Sequence, residues 1–141
     1  RFYLQRKAWN MRVSDFEKFD EGTLGKRMYD FYRRENFAPI AKAEHHDVYH
    51  LLLDFGTGVK EETEMQFYLL GNGKKSLFTV GWCILSFILF PKNRQEYKAQ
   101  FAKGKLAMPF THYNFSIELN TSLNAIRNLF NIKTNTHGKI S

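Results

Sequence analysis

Apolar positions recur at helical spacing along most of the chain. From Thr23 onward Leu24, Met28, Phe31 and Tyr32 fall on one face of a 3.6-residue repeat, until Asn36-Phe37-Ala38-Pro39 introduces a proline that cannot continue it, so a helix is predicted near 23–36. Between Ile40 and Phe55, Val48, Leu51, Leu52 and Phe55 stand at i, i+3, i+4 and i+7 and predict a second helix, ended by Gly56-Thr57-Gly58. A third is expected from about Val59 to Leu70, with Glu61 and Glu62 in the first turn, where carboxylates oppose the positive helix end. Gly71-Asn72-Gly73 reads as a turn. Ser76 to Phe90 is apolar almost all round and ends at Pro91, yet falls short of the ~20 residues that cross a hydrocarbon core; it predicts a buried helix or one lying partly in a membrane surface. Asn93 to Phe101 reads as a polar helix ended near Gly104, and about Phe110 to Phe130 as a last helix with Phe115, Leu119, Leu123, Ile126 and Phe130 on one side. Arg1 to Asp20 has no clean period and is expected as an irregular lead-in or short helix, and residues 131–141 as a polar, frayed tail. No strand-like alternation persists and no repeat is visible, so the fold class is all-α, a single-domain bundle of about six helices spanning 1–141.

Composition narrows the function. The 141 residues, 43% hydrophobic, suffice for one ordinary core. A net charge of +7 suits nucleic acid, an anionic membrane surface or an anionic ligand. The cations are scattered as pairs (Lys26-Arg27, Arg33-Arg34, Lys74-Lys75) and as singles from Lys92 to Lys105, with no nucleic-acid module, so nucleic acid is not expected as a partner. Cys83, the single cysteine, excludes an intramolecular disulfide and a cysteine-rich zinc knuckle; in its apolar stretch it reads as a buried, inert thiol. Without a disulfide framework an intracellular place, cytoplasmic or organellar, is expected.

The chemistry concentrates between residues 46 and 62. His46 and His50 share one helical face, Asp47 reaches towards His50, and Glu62, in the first turn beyond a short glycine loop, would be brought towards the same face. A lone histidine on a helix is usually a surface or satisfied core residue, and a glutamate at a helix start is usually a dipole partner. Two histidines at i, i+4 with an adjacent aspartate are harder to bury without a cation. Mixed imidazole and carboxylate donors suit zinc, and iron or manganese where water fills further positions. His46, Asp47, His50 and Glu62 are therefore the expected ligands of a divalent metal, and Glu62, beside a flexible glycine turn, the one able to yield a position to substrate.

The run His46-Asp47-Val48-Tyr49-His50, followed after eleven residues by Glu62, resembles the His-Asp-x-x-His-x11-Glu signature of the coenzyme Q biosynthesis protein four family, and Gly22-Thr23-Leu24-Gly25 with Tyr29 to Pro39 is similar to that family's Gly-Thr-Leu-Gly helix and Asn-x-Phe-x-Pro ending. The resemblance covers roughly residues 18 to 130. It implies an all-helical protein with a zinc-like site at His46, Asp47, His50 and Glu62, a channel for a prenyl lipid or fatty acid, and a peripheral place on the inner membrane where quinone is made. It further implies either a role in ring C1 decarboxylation and hydroxylation or the organisation of other quinone biosynthesis proteins; a homodimer is compatible with both. The family often has glycine immediately before the final glutamate, where this chain has Glu61. Phe78, Trp82, Phe87 and Phe90 are candidates to line the lipid slot, although helically spaced aromatics are more often core. Two other classes stay open: a non-catalytic lipid-binding or scaffold protein with a structural metal, and, more weakly, a metal-dependent phosphohydrolase, for which the expected downstream aspartate is not evident.

Overall fold

The computed structural model describes residues 7–134, and six α-helices with three short 3₁₀ turns account for its regular structure. The all-α expectation is met: among the described residues there is no strand, only one isolated bridge between Thr23 and Ser122. Packing divides the described residues into two compact units, residues 7–52 with 114–126, and residues 53–113 with 127–134.

In the first unit a 3₁₀ turn, Val13–Phe16, is the only regular element among the described residues of the lead-in, whose first six residues lie outside them, and α1 spans Leu24–Glu35. The Gly22-Thr23-Leu24-Gly25 motif acquires a physical reason here. Gly22 takes φ +80°, Thr23 caps the helix by accepting the Lys26 amide at 3.3 Å, and Leu24 is fully buried. Gly25 lets Leu119 approach: a Cβ would stand 2.9 Å from the Leu119 carbonyl oxygen and closer still to the Phe19 ring. The carbonyls of Thr121 and Leu119 accept the amides of Leu24 and Gly25, each at 2.9 Å, so first-turn donors that a helix leaves unmet are satisfied. Asn36 closes α1 in the left-handed conformation, φ 54°. α2, Glu44–Leu53, ends at Asp54 in the same conformation, ahead of the glycine triplet expected to stop it.

The second unit holds α3 (Val59–Asn72), α4 (Leu77–Leu89) and α5 (Arg94–Leu106), the last preceded by a 3₁₀ turn at Pro91–Asn93. Phe67, Cys83 and Tyr97 form a core in which the Phe67 and Tyr97 rings stack at 4.5 Å. Two predicted boundaries are corrected. Gly71 and Asn72 belong to α3, and Gly73 alone makes the turn at φ 112°; the buried Asn72 amide donates to the carbonyls of Gly104 (3.0 Å) and Met108 (3.1 Å) and accepts the Phe110 amide at 2.9 Å, holding the exit of α5. α5 likewise runs through Gly104 rather than stopping near it.

The predicted helix at 110–130 is replaced by a 3₁₀ turn, Phe115–Glu118, and a short α6, Leu123–Leu129. Asn114 and Ser122 bind local amides, Ser116 at 3.1 Å and Ala125 at 3.4 Å, and divert the backbone as such residues do. The predicted apolar stripe is present all the same, since Phe115, Leu119, Leu123, Ile126 and Phe130 are all buried.

Ser76–Phe90 is not the buried helix that was one of its two readings. α4 turns Thr79, Cys83 and Ser86 inward and leaves Leu77, Phe78, Ile84, Leu85, Ile88 and Leu89 more than half exposed. Among the described residues no helix is long and apolar enough to cross a membrane. The predicted tail begins inside the structure, with Ile132 buried, and from 135 onward lies outside the described residues.

Candidate metal centre

α2 opens with four consecutive ionisable side chains; Glu44 accepts the Trp9 amide at 2.9 Å, and the next three have different tasks. His45 is structural: its Nε2 accepts the Phe115 amide at 3.1 Å and its ring meets Trp9 edge-on at 5.3 Å. His46 and His50, one turn apart, bring their Nε2 atoms to 3.3 Å, and His50 is held flat against Phe31, ring centres 5.9 Å apart. Asp47 turns towards α1, where its Oδ2 accepts the Tyr32 hydroxyl at 2.7 Å. Burial raises the Asp47 pKa, opposed by the Tyr32 hydrogen bond and the neighbouring imidazoles. Tyr32 is pushed far above the ordinary phenol value by burial and by the Asp47 charge, so it stays a neutral donor.

His46, His50 and Glu62 each offer a ligand atom, and the three atoms lie within 4.8 Å of one another. Three of the four predicted ligands are in this set, which could hold a metal ion; Asp47 is not. His50 is buried, His46 and Glu62 half-buried. The donor set fits a divalent ion. Two nitrogens bound to tetrahedral zinc at about 2.0–2.1 Å stand about 3.3 Å apart, the spacing that the imidazoles already show.

Glu62 is oriented by residues that the sequence reading did not single out. The amide of Gln66, fully buried one turn along α3, donates to Glu62 Oε1 at 3.2 Å, and Gln66 Oε1 in turn accepts the hydroxyl of buried Thr79 at 2.8 Å. Thr79 Oγ1 receives Ser76 Oγ at 3.0 Å. The i, i+4 spacing of Glu62 and Gln66 was the available signal. Glu61, which stands where the resembled family often has glycine, lays its carboxylate over Gly56, where a Cβ would collide with it.

The chain has a likeness among solved structures. The chain matches a protein provisionally described as a ubiquinone biosynthesis protein, from Nostoc punctiforme, with a TM-score of 0.70 over 89% of this chain and 70% of that one. The identity is 16%, so the likeness is one of fold. No family model matches the chain, and no curated protein matches it in sequence.

The lipid candidates lie apart from one another in environment. Phe78 and Phe90 are exposed, while Trp82 and Phe87 are half-buried. Trp82 Nε1 donates to Thr63 Oγ1 at 3.0 Å, and the Phe87 ring lies under the Arg94 guanidinium at 4.8 Å.

Proposed function

We propose that this chain is a divalent-metal protein of ubiquinone biosynthesis, with His46, His50 and Glu62 as ligands and zinc as the metal. The observation that carries the reading is the pair of α2 imidazoles at the edge length of a tetrahedral site, with a carboxylate close by. The likeness in fold to the Nostoc punctiforme protein and the His-Asp-x-x-His-x11-Glu resemblance support the choice of pathway.

Three protein donors, two of them half-buried, favour a catalytic over a purely structural ion, because structural zinc sites are closed by four protein ligands. A bound divalent ion would act as a Lewis acid on the carboxylate or phenolate of a prenylated hydroxybenzoate, the substrate class of ring C1 decarboxylation, in which carbon dioxide leaves and a proton takes its place. The chain's own contribution is placement. Phe31 fixes the plane of His50, Gln66 aims Glu62, and Tyr32 holds Asp47 beside the site as a further carboxylate.

Elemental analysis of protein purified without chelators should return about one divalent ion per chain, lost in His46→Ala and His50→Ala. Glu62→Gln should keep the fold and most of the metal, yet fail to rescue a quinone-deficient cell. Metal-free protein would sink the reading. A folded, metal-loaded Glu62→Gln protein supporting full quinone synthesis would replace the enzyme by a scaffold organising other quinone biosynthesis proteins.

A further inference from the structure

α4 is built inside out. Its inward positions are Thr79, Cys83 and Ser86, at 0%, 3% and 4% exposure, whereas Leu77 (94%), Phe78 (60%), Ile84 (58%), Leu85 (55%), Ile88 (62%) and Leu89 (58%) face outward. Positions 77/78, 84/85 and 88/89 form one stripe along the helix, with the open Gly81 between them. Scattered exposed apolar residues are ordinary, but a continuous stripe along a whole helix marks a surface that is covered in use.

The charge around this stripe identifies the cover. Between residues 65 and 117 the chain has seven lysines and arginines and a single acid, Glu96, which Lys60 approaches at 3.5 Å. Lys74 and Lys75 precede α4; Lys92, Arg94 and Lys98 follow it. At the latter end the Arg94 Nε donates to the Phe87 carbonyl at 2.6 Å, and the Lys98 ammonium stands 5.9 Å from the same ring's centre. Lys92, Arg94 and Lys98, with Pro91, Gln95 and Ala99, line an open concavity of about 590 Å³. An apolar stripe about 20 Å long, cationic at both ends and too short to span, is the pattern of a helix lying in a lipid interface. A second copy fits less well. Apposing two such helices, parallel or antiparallel, sets one cationic end against another.

We infer that the outward face of α4 docks on an anionic phospholipid bilayer, with Leu77, Phe78, Ile84, Leu85, Ile88 and Leu89 entering the acyl boundary and Lys92, Arg94 and Lys98 receiving headgroup phosphates. The inference is independent of the metal reading.

The test is flotation of the full chain with phosphatidylcholine vesicles, with and without about 30 mol% phosphatidylglycerol. Binding should be about tenfold stronger with the anionic lipid and should fall in about 0.5 M salt. Ile84→Asp with Ile88→Asp should abolish it, and the exposed pair Lys92→Glu with Lys98→Glu should remove the anionic preference, both with unchanged circular dichroism. Should the aspartates unfold the chain, Ile84→Ser with Ile88→Ser carries the same expectation. Equal binding to both vesicles, full binding by the α4 variants, or a dimer broken by them in a chain that ignores vesicles would each overturn the proposal, the last in favour of self-association.

Discussion

Gln66 hydrogen-bonds the Glu62 carboxylate and so helps to set its geometry, and a double-mutant cycle with Thr79 isolates its contribution. Both side chains are fully buried. Gln66→Leu removes a hydrogen bond to a carboxylate, worth about 1.5–3 kcal/mol, and leaves the Thr79 hydroxyl without its acceptor, at about 1–3 kcal/mol; the new apolar contacts offset part of this. A net loss of about 1–3 kcal/mol follows, or a few degrees of Tm per kcal/mol. Thr79→Val costs about as much, because it orphans Gln66 Oε1 in a site closed to water. In the double variant no half of that hydrogen bond remains, so the cost should fall below the sum of the singles by about 1–2 kcal/mol.

Metal affinity separates orientation from packing. Gln66→Leu removes one support of the Glu62 carboxylate, and loss of such a supporting group typically costs about 10–100-fold in affinity. The double variant recovers stability and not affinity. Urea unfolding with chelator present measures the first quantity, and zinc competition against a chromophoric chelator the second. Additivity within about 0.5 kcal/mol, or wild-type zinc affinity in both Gln66→Leu proteins, would refute the coupling.

What the sequence made legible follows a physical divide. Periodicity located α1 to α5 and the buried stripe Phe115–Phe130, because burial enforces the spacing of apolar residues whatever the backbone does. It mistook that stripe for one helix, since Asn114 and Ser122 break the backbone without breaking the pattern. The His46, His50 and Glu62 trio was legible from i, i+4 spacing and a short loop, whereas the turning of Asp47 to Tyr32 depends on a partner fifteen residues away. α4 was the hardest to read. A stretch apolar on every side contains no information about which side is covered, and only the placement of Thr79, Cys83 and Ser86 decided it.

The remaining predictions test parts of the fold that position these surfaces. His45→Ala should cost about 1–3 kcal/mol by removing the side-chain acceptor of the buried Phe115 amide and should leave metal content unchanged, unlike His50→Ala; thermal melts paired with elemental analysis check it. Burial raises the Cys83 thiol to about 11, so the neutral thiol's contribution to stability is full below its ordinary value of 9.0 and lost as pH rises through about 11; alkylation near pH 8 should be slow until urea unfolds the chain. The glycines of α3, α4 and α5 should answer in opposite directions to one substitution. Each sits in a helix, where alanine is intrinsically better by about 1 kcal/mol. At Gly81 a Cβ meets nothing within 4 Å, so Gly81→Ala should stabilise by about 0.5–1 kcal/mol. At Gly104 a Cβ would lie 2.0 Å from the Tyr68 carbonyl oxygen, and at Gly71 2.1 Å from that of Phe101. Backbone cannot rotate aside as a side chain can, so α3 and α5 must separate, and overpacking of this kind costs about 1–3 kcal/mol or more. The clash therefore outweighs the propensity gain, and Gly104→Ala should destabilise even though Gly81→Ala does not. Equal Tm shifts in the two variants would mean that the α3–α5 contact is looser than the close approach of their backbones implies.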